Sequence, residues 1–225
     1  MQAIDVLKKY WGYTSFKSNQ EDVINSIINK KDTLALLPTA GGKSICFQIP
    51  ALIREGICIV ISPLISLMED QTKHLKSKGI KSIAISSLMN INEIETALTN
   101  CIYGNIKFLY LSPEKLRNNS VQEKIKQMNV NLIAIDEAHC ISEWGHNFRP
   151  SYRLISKLRE IKEDTPVLAL TATANKDVIE DIQNNLNFKE KNIIKGSFFR
   201  ENISYVAIDC KNKKSTLIKL CKKIK

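Results

Sequence analysis

The sequence has little of what marks secreted, metal-stapled or membrane proteins. Its six cysteines stand singly at positions 46, 58, 101, 140, 210 and 221, without a C-x-x-C pair or a histidine at metal-ligand spacing. We therefore predict free thiols of a reducing compartment, with no disulfide framework and no structural zinc. No apolar run is long enough to cross a bilayer, and the first ten residues lack the apolar core of a signal peptide. We expect a chain that stays where it is made and has no membrane partner.

Most of the chain also lacks an excess of positive or negative residues, although the formal net charge of the whole sequence is +10. Residues 211–225 contain seven lysines and no acidic residue, whereas residues 1–210 hold 26 basic and 23 acidic residues. A solvated lysine face on a terminal helix accounts for most of the excess. Net charge therefore gives only weak support to a nucleic-acid partner.

One glycine-containing stretch organises the rest of the sequence. Residues 34–44 read LALLPTAGGKS, an apolar strand-like run and a glycine turn that precede an apolar, helix-like segment. In such loops backbone N–H groups converge on phosphate oxygens, the lysine reaches the β and γ phosphates, and the serine ligates Mg²⁺. Leu37 replaces the first glycine of the general pattern, and an ordinary glycine turn is the alternative. We predict a phosphate-binding loop made of Thr39, Ala40, Gly41, Gly42, Lys43 and Ser44.

Apolar segments predict the strands of an α/β fold. The strong candidates are the run before the glycine loop and residues 57–61, 106–111, 132–135 and 167–170, with weaker ones at 82–85 and 192–194. Helical patterns cover residues 3–10, 21–29, 64–78, 91–101, 121–128 and 152–161. Near-continuous apolar strands that alternate with helices predict a mainly parallel sheet with helices on both faces.

Polar residues follow each strong strand. They are the glycine loop, Ser62-Pro63, Ser112-Pro113, Asp136-Glu137 and Thr171-Ala172-Thr173. Because parallel strands end at a common edge where open α/β sheets bind ligands, we expect these residues to lie together. Each Ser-Pro pair predicts a helix start with serine as N-cap and proline at the first helical position. Such starts also bind phosphates, although capping alone explains each pair taken singly.

Asp136 and Glu137 form an acidic pair directly after a strand. Adjacent acids at this place can hold Mg²⁺ through Asp136 and orient a water molecule through Glu137. The alternative is that Asp136 caps a short helix beginning near Ala138. Combined with the phosphate-binding loop, the pair predicts a nucleotide-triphosphate site.

Two further segments combine aromatic and polar residues. In GYTSFKSNQ, residues 12–20, Tyr13 is suited to stacking on a base whose edge Gln20 reads; alternatively, Tyr13 and Phe16 tuck over the sheet edge. In CISEWGHNFRP, residues 140–150, four side chains are suited to contacting a single nucleic-acid strand and reporting that contact to Glu137: Trp144, His146, Phe148 and Arg149. A hydrophobic plug over the sheet, with His146 as a core histidine, is the alternative.

Together these segments resemble the first motor lobe of RecQ-family DNA helicases. The resemblance runs from about residue 12 to residue 205 and includes PTAGGKSICFQIPA, SPLISLMEDQ, YLSPE, IDEAHCISEWGHNFRP and LALTATA. The fusion of a DEAH box to the aromatic-rich loop is its most specific part. The resemblance implies a RecA-like P-loop NTPase lobe that uses ATP and Mg²⁺ and translocates 3′ to 5′ along DNA, with single-stranded and duplex DNA as partners.

The resemblance also implies a role for each motif. By this resemblance, adenine is recognised by Tyr13, Lys17 and Gln20. The catalytic residues are Lys43, Asp136 and Glu137. The metal ion is bound by Ser44 and Asp136. Strand contact and coupling fall to Ser62, Pro63, Ser112, Pro113, Trp144, His146, Phe148, Arg149, Thr171 and Thr173. Lys17 stands where the family usually has arginine, and a lysine ammonium lacks the planar donors that make bidentate hydrogen bonds.

We expect an ATP-binding lobe at residues 1–209 and a basic tail at residues 210–225 that begins a second RecA-like lobe of the same polypeptide. In the resembled family that second lobe supplies an arginine worth about 10³ to 10⁵ in rate. The chain alone is therefore expected to hydrolyse ATP very poorly and not to unwind DNA. Two alternatives are an RNA helicase lobe of the DEAD or DEAH kind and a nucleotide-responsive DNA-binding module without turnover. The expected location is the cytoplasm, at the nucleoid in a bacterium, or the nucleus in a eukaryote.

Overall fold

The computed structural model describes residues 2–17, 19–39, 41–86, 88–145, 147–197, 203–204 and 206–223. Two predicted site residues, Ala40 and His146, lie outside these ranges. The strands in them are β1 (Thr33–Leu36), β2 (Ile57–Ile61), β3 (Ser82–Ile85), β4 (Phe108–Leu111), β5 (Val130–Ile135), β6 (Val167–Thr171) and β7 (Ile193–Lys195). The α-helices are α1 (Ala3–Trp11), α2 (Gln20–Ile28), α3 (Lys43–Ile53), α4 (Ile65–Ser77), α5 (Ile91–Tyr103), α6 (Asn119–Gln127), α7 (Ile155–Ile161), α8 (Lys176–Asn185) and α9 (Lys213–Lys223). Three 3₁₀ helices cover Pro113–Arg117, Ala138–Ile141 and Pro150–Leu154.

The described strands form one sheet in the order β3-β4-β2-β5-β6-β1-β7, and every neighbouring pair is parallel. The predicted α/β class is therefore confirmed. The two weaker candidates, β3 and β7, are the edge strands. β7 is only partly buried, which explains its weaker apolar signal.

The sheet has a hydrophobic core on each face. Along β2, Ile57, Ile59 and Ile61 point into the core that α5 to α8 cover, whereas Cys58 and Val60 point into the core beneath α3 and α4. Successive side chains of a strand alternate between faces, so burial on both sides requires a continuous apolar run. Helices α1 and α2 pack on α3 in a third, smaller cluster.

Two helix starts differ from the sequence-based expectation. Helix α4 begins at Ile65 with Leu64 as its N-cap, so Pro63 does not occupy the first helical position. The N–H of Ser62 donates to the carbonyl of Leu111 at 3.2 Å, which continues the strand pairing of β2 for one more residue. Ser112 does precede a helix that starts with Pro113, but this helix is of the 3₁₀ type and Ser112 makes no side-chain cap. Likewise, α7 begins at Ile155, because the residues before it form a 3₁₀ helix.

A buried ion pair ties the amino edge of the sheet together. Asp32 and Arg159 are 6% and 5% exposed, with 2.6 Å between Asp32 Oδ2 and Arg159 Nη2. The same carboxylate accepts backbone N–H groups of Val167 and Lys189, each at 2.9 Å. It therefore joins β1, β6, α7 and the chain segment that follows α8, at the edge opposite the glycine loop.

The six cysteines are all free thiols, four of them buried. No helix in the described ranges has the length and apolar content that a membrane crossing requires. Helix α9, in the lysine-rich tail, exposes Leu217, Ile218 and Leu220. The predicted division at residue 209 stays a prediction.

Candidate active site

The strand order brings four predicted motifs to adjacent positions on one edge. β2, β5, β6 and β1 are neighbours, and their carboxyl ends lead into Ser62, Asp136, Thr171 and the glycine loop. The chain visits these strands in a different order, so the proximity comes from the sheet topology. This is the edge at which parallel α/β sheets bind ligands.

The glycine loop needs its two glycines for different reasons. A Cβ on Gly41 would lie 2.8 Å from the carbonyl oxygen of Pro38, and Gly42 has φ of +72°. A Cβ on Gly42 would also lie 2.4 Å from the side-chain nitrogen of Gln20. That nitrogen donates to the carbonyls of Gly41 and Gly42, both at 3.1 Å. The buried Gln20 amide thus holds the loop at the start of α3, where helix N–H groups are free to bind an anion.

Lys43 and the acidic pair meet across the sheet edge. Lys43 Nζ lies 3.5 Å from Glu137 Oε1, and the other carboxylate oxygen, Oε2, lies 3.3 Å from Nδ1 of His139. The same histidine nitrogen lies 2.9 Å from the hydroxyl of Thr171. A continuous chain of polar contacts therefore runs from the glycine loop through Glu137 and His139 to the end of β6. These contacts support the prediction that the glycine loop and the acid pair belong to one site.

His139 is a functional candidate that the sequence-based prediction does not include. Its side chain is about nine-tenths buried and links the two polar segments at the ends of β5 and β6. The signal was its position two residues after Glu137. Glu137 itself has φ of +49°, an uncommon conformation for a non-glycine residue, and it occupies the N-cap position of Ala138–Ile141. Asp136 is therefore not the N-cap of that helix, which removes the capping alternative.

Asp136 is buried, and two hydrogen bonds fix its position. Its carbonyl accepts the hydroxyl of the buried Tyr152 at 2.9 Å, and its carboxylate Oδ1 accepts the N–H of Glu137 at 3.1 Å. Burial, together with the neighbouring Glu137 carboxylate, raises the pKa of Asp136 to about 6, and the Lys43 charge opposes this rise. A carboxylate in this position is stabilised by a cation placed next to it.

The donor set at this edge fits Mg²⁺ held together with phosphate. Within the described ranges, no three His, Cys, Asp or Glu side chains are grouped in a way that could hold a metal ion. Mg²⁺ does not need such a cage, since it commonly takes one or two protein oxygens and completes its shell with phosphate oxygens and water. Asp136 and Ser44, the latter at the start of α3, supply oxygens of the right type.

Replacing Asp136 with asparagine is expected to stabilise the protein in Mg²⁺-free, nucleotide-free buffer. The native pKa of about 6 lies above the ordinary value of 3.8, so the native state binds this proton more tightly than the unfolded state does. Stability is therefore lost as the pH rises from about 4 through 6. Asp136→Asn should raise the free energy of unfolding by about 1 to 3 kcal/mol at pH 8, and the gain should disappear near pH 4. Urea unfolding at both pH values checks this, with the fully exposed Asp164→Asn as control; an equal gain at pH 4 would contradict it.

A cavity of about 760 Å³ adjoins the glycine loop on the side of α1, α2 and α4. Tyr13, Lys17 and Gln20 line it together with Gly42 and Ser44. Tyr13 is 59% exposed and is therefore not tucked over the sheet, whereas Phe16 is half-buried against the cluster of α1, α2 and α3. The Gln20 side-chain oxygen accepts the N–H of Lys17 at 2.9 Å, so its amide is already bonded at both ends. Adenine recognition by these residues stays a prediction.

The aromatic loop lies next to the acid pair and exposes its tryptophan. Trp144 is 73% exposed, which does not fit a hydrophobic plug, while Phe148 is half-buried. The backbone N–H of Trp144 donates to Ser142 Oγ at 3.2 Å, and that hydroxyl donates to Asp181 of α8 at 2.7 Å. Arg149 is half-buried and donates to the carbonyl of Pro63 at 3.0 Å, so part of its guanidinium is bonded to protein.

The remaining predicted contact residues differ in accessibility. Ser62 is 1% exposed and Pro113 is buried, whereas Pro63 and Ser112 are half-buried. The Ser62 hydroxyl has no hydrogen-bond partner within the described part of the chain. Thr173 and Thr39 are exposed, and the N–H of Thr173 donates to Thr171 Oγ1 at 3.2 Å. A small cavity of about 130 Å³ is lined by His139, Trp144 and Thr173, among others, and brings the aromatic loop beside the end of β6.

The combination of a glycine loop, an acidic pair and a bridging histidine agrees with the family comparison. The family model described as DEAD/DEAH box helicase matches residues 17–182. The chain belongs to this family. The match includes the glycine loop, the acid pair and the aromatic loop of this helicase domain.

Two curated relatives of this helicase domain are bacterial DNA helicases. It is 48% identical over 184 residues to the probable ATP-dependent DNA helicase RecS of Bacillus subtilis, covering 81% of this chain and 37% of that protein. It is 46% identical to the ATP-dependent DNA helicase RecQ of Haemophilus influenzae, covering 90% of this chain and 33% of that protein. The predicted RecQ resemblance is thus confirmed. The domain spans about a third of the length of these two relatives.

A solved structure supports the fold of the helicase domain. The crystal structure of the DUF1998 helicase MrfA bound to DNA aligns with a TM-score of 0.68 at 16% identity, covering 87% of this chain and 27% of that one. At this identity the likeness concerns the fold alone.

Proposed function

We propose that this chain is the ATP-binding motor lobe of a RecQ-like DNA helicase, which couples ATP hydrolysis to 3′ to 5′ movement along one DNA strand and to duplex separation. The observation that carries the proposal is the 3.5 Å contact between Lys43 and Glu137, because it supports a site in which a lysine that binds phosphate and an acid pair share one sheet edge. The exposed Trp144 in the loop after the acid pair adds a surface suited to unpaired bases.

The nucleotide would occupy the space between the glycine loop and β5. Free N–H groups at the start of α3 and the Lys43 ammonium bind the phosphates, and Tyr13 offers an exposed ring on which the base stacks. Ser44 and Asp136 would hold Mg²⁺, which would neutralise charge on the phosphate oxygens. Lys43 contacts Glu137 at 3.5 Å, so a phosphate bound to Lys43 would compete with this contact and leave the Glu137 carboxylate available to orient the attacking water.

Binding of a DNA strand would affect the acid pair through a few side-chain contacts. Trp144 and Thr173 line one small cavity with His139, and His139 contacts both Thr171 and Glu137. A strand that moves the Trp144 side chain changes the packing around His139, which in turn orients Glu137. His139 is thus a positioning residue, whereas Glu137 acts on the water.

A second RecA-like lobe of the same polypeptide completes this site in our proposal. The chain covers only 37% and 33% of the RecS and RecQ relatives, which carry names of ATP-dependent DNA helicases. An arginine from that lobe would stabilise charge on the γ-phosphate, worth about 10³ to 10⁵ in rate. We therefore expect this lobe alone to bind Mg-ATP and a DNA strand, with little turnover.

Titration of the chain with labelled single strands tests this proposal. The wild-type chain should bind a fluorescent oligo-dT more tightly than an RNA oligo-U of equal length. Trp144→Ala should weaken DNA binding about tenfold, since stacking of one base on an aromatic ring contributes about 1 to 3 kcal/mol. Binding of Mg-ATP should be unchanged. Tyr103→Ala is the matched control, because Tyr103 is 77% exposed on α5.

Each outcome separates the proposal from its rivals. Tighter binding of RNA would favour an RNA helicase lobe. DNA binding that responds to Mg-ATP without any turnover in a two-lobe protein would favour a nucleotide-responsive binding module. Equal losses from Trp144→Ala and Tyr103→Ala would remove the aromatic loop from the strand site.

A further inference from the structure

An exposed ion pair joins the two ends of the aromatic loop. Glu143 directly precedes Trp144, and Arg153 lies in the 3₁₀ helix Pro150–Leu154 that follows the loop. The distance between Arg153 Nη2 and Glu143 Oε1 is 2.6 Å, and their side chains are 55% and 59% exposed. Neither residue belongs to the predicted site, and neither has a role in the nucleotide chemistry proposed above.

The same arginine covers an aromatic ring of the loop. The Arg153 guanidinium carbon lies 5.4 Å from the centre of the Phe148 ring, within the range of a cation–π contact. A base that stacks on Phe148 needs a free ring face, and the guanidinium occupies one face. Arg153 and a base that stacks on this face therefore compete for the same place.

Glu143 also neutralises the positive charge of Arg153, which would otherwise attract the phosphates of a nucleic-acid strand. A guanidinium beside a half-buried aromatic ring is well suited to phosphate, because its planar donors match phosphate oxygens. The pair is exposed on both sides, so it is weak, and a phosphate can replace the carboxylate at small cost. The loop's other arginine, Arg149, already donates to the carbonyl of Pro63.

We propose that Arg153 is a strand-binding residue that Glu143 holds over Phe148 until nucleic acid arrives. A backbone phosphate of the strand replaces Glu143 as the partner of Arg153, and a base takes the ring face that the guanidinium leaves. Glu143 thereby lowers strand affinity. This inference rests on the proposed role of the aromatic loop in strand binding.

The test measures affinity of the chain for fluorescent oligo-dT at several salt concentrations. Glu143→Gln should bind about two- to fivefold more tightly, because Arg153 no longer has to leave a carboxylate. Arg153→Gln should bind about three- to tenfold more weakly, and its slope of log affinity against log salt should be smaller by about 0.7, as one phosphate contact is lost. In the double variant Glu143→Gln/Arg153→Gln, the gain from the first substitution should vanish.

Asp164→Asn is the matched control for charge. It removes the acid of another exposed pair, Lys189 and Asp164 at 3.0 Å, and changes the net charge by the same amount as Glu143→Gln. A gain in affinity equal to that of Glu143→Gln would mean that net charge alone matters, and would overturn the proposal. So would a Glu143→Gln gain that persists without Arg153, or an unchanged salt slope in Arg153→Gln. If wild-type protein bound no oligonucleotide, the proposed strand-binding function would fail as well.

Discussion

Replacing Lys43 with alanine is expected to lower the affinity for Mg-ATP about 100-fold or more while leaving the fold intact. The Lys43 side chain lies at the start of α3, and its contact with Glu137 Oε1 is long at 3.5 Å. Little native stability is therefore lost with it. In the nucleotide complex the ammonium would make charged hydrogen bonds to two phosphates, each worth about 1.5 to 3 kcal/mol. Calorimetric titration of the chain with Mg-ATP measures the change.

Lys124→Ala provides the control for Lys43→Ala. Lys124 is also a partly buried lysine beside an acid, with 3.8 Å between its Nζ and Glu95 Oε1, but it lies on α6. Its replacement should leave Mg-ATP affinity unchanged. Wild-type affinity in Lys43→Ala would mean that the glycine loop does not bind phosphate. A large loss in both variants would indicate a general structural effect.

The second large effect concerns stability: Asp32→Ala is expected to lower the free energy of unfolding by about 3 to 5 kcal/mol. The substitution leaves the Arg159 guanidinium charged and buried without its carboxylate, since Arg159 is only 5% exposed. It also removes the acceptor of two backbone N–H groups, those of Val167 and Lys189. Urea unfolding followed by circular dichroism measures the loss.

A second variant tests whether the unpaired charge is the cause. Asp32→Ala/Arg159→Met removes both charges and should recover part of the stability lost in Asp32→Ala, because an apolar side chain is tolerated where an isolated cation is not. Asp164→Ala removes a fully exposed carboxylate and should change little. A double variant less stable than Asp32→Ala would mean that packing by Arg159, rather than its charge, matters most.

The strands could be predicted from sequence because burial on both faces leaves a continuous apolar run. β2 was predicted with its observed bounds, and β5 and β6 to within a few residues. Helix starts were less predictable. Ser62 and Pro63 have the composition of a helix start, yet the strand pairing of Ser62 with Leu111 holds that segment in the sheet. Local sequence preference was overridden there by a tertiary hydrogen bond.

The motifs of the candidate site could be found in the sequence, but their contacts could not. Nothing near Gln20 indicates that its amide would hold the carbonyls of Gly41 and Gly42, because the partners come together only when α2 packs on α3. The Asp32–Arg159 pair likewise joins residues from distant parts of the chain. His139 was next to the predicted acids, but its bridging role depends on β5 and β6 being neighbours.

The position of β6 between β1 and β5 has a mechanical consequence. β6 is hydrogen-bonded to both strands, so the carboxyl ends of β1 and β5, which lead to Lys43 and Glu137, are held two strand spacings apart, roughly 10 Å. In the proposed function, this fixed spacing would set the room that a polyphosphate has between the two chain segments. In the proposed cycle, Lys43 and Glu137 would separate and meet again by side-chain rotation, because β6 fixes the strands that lead to them.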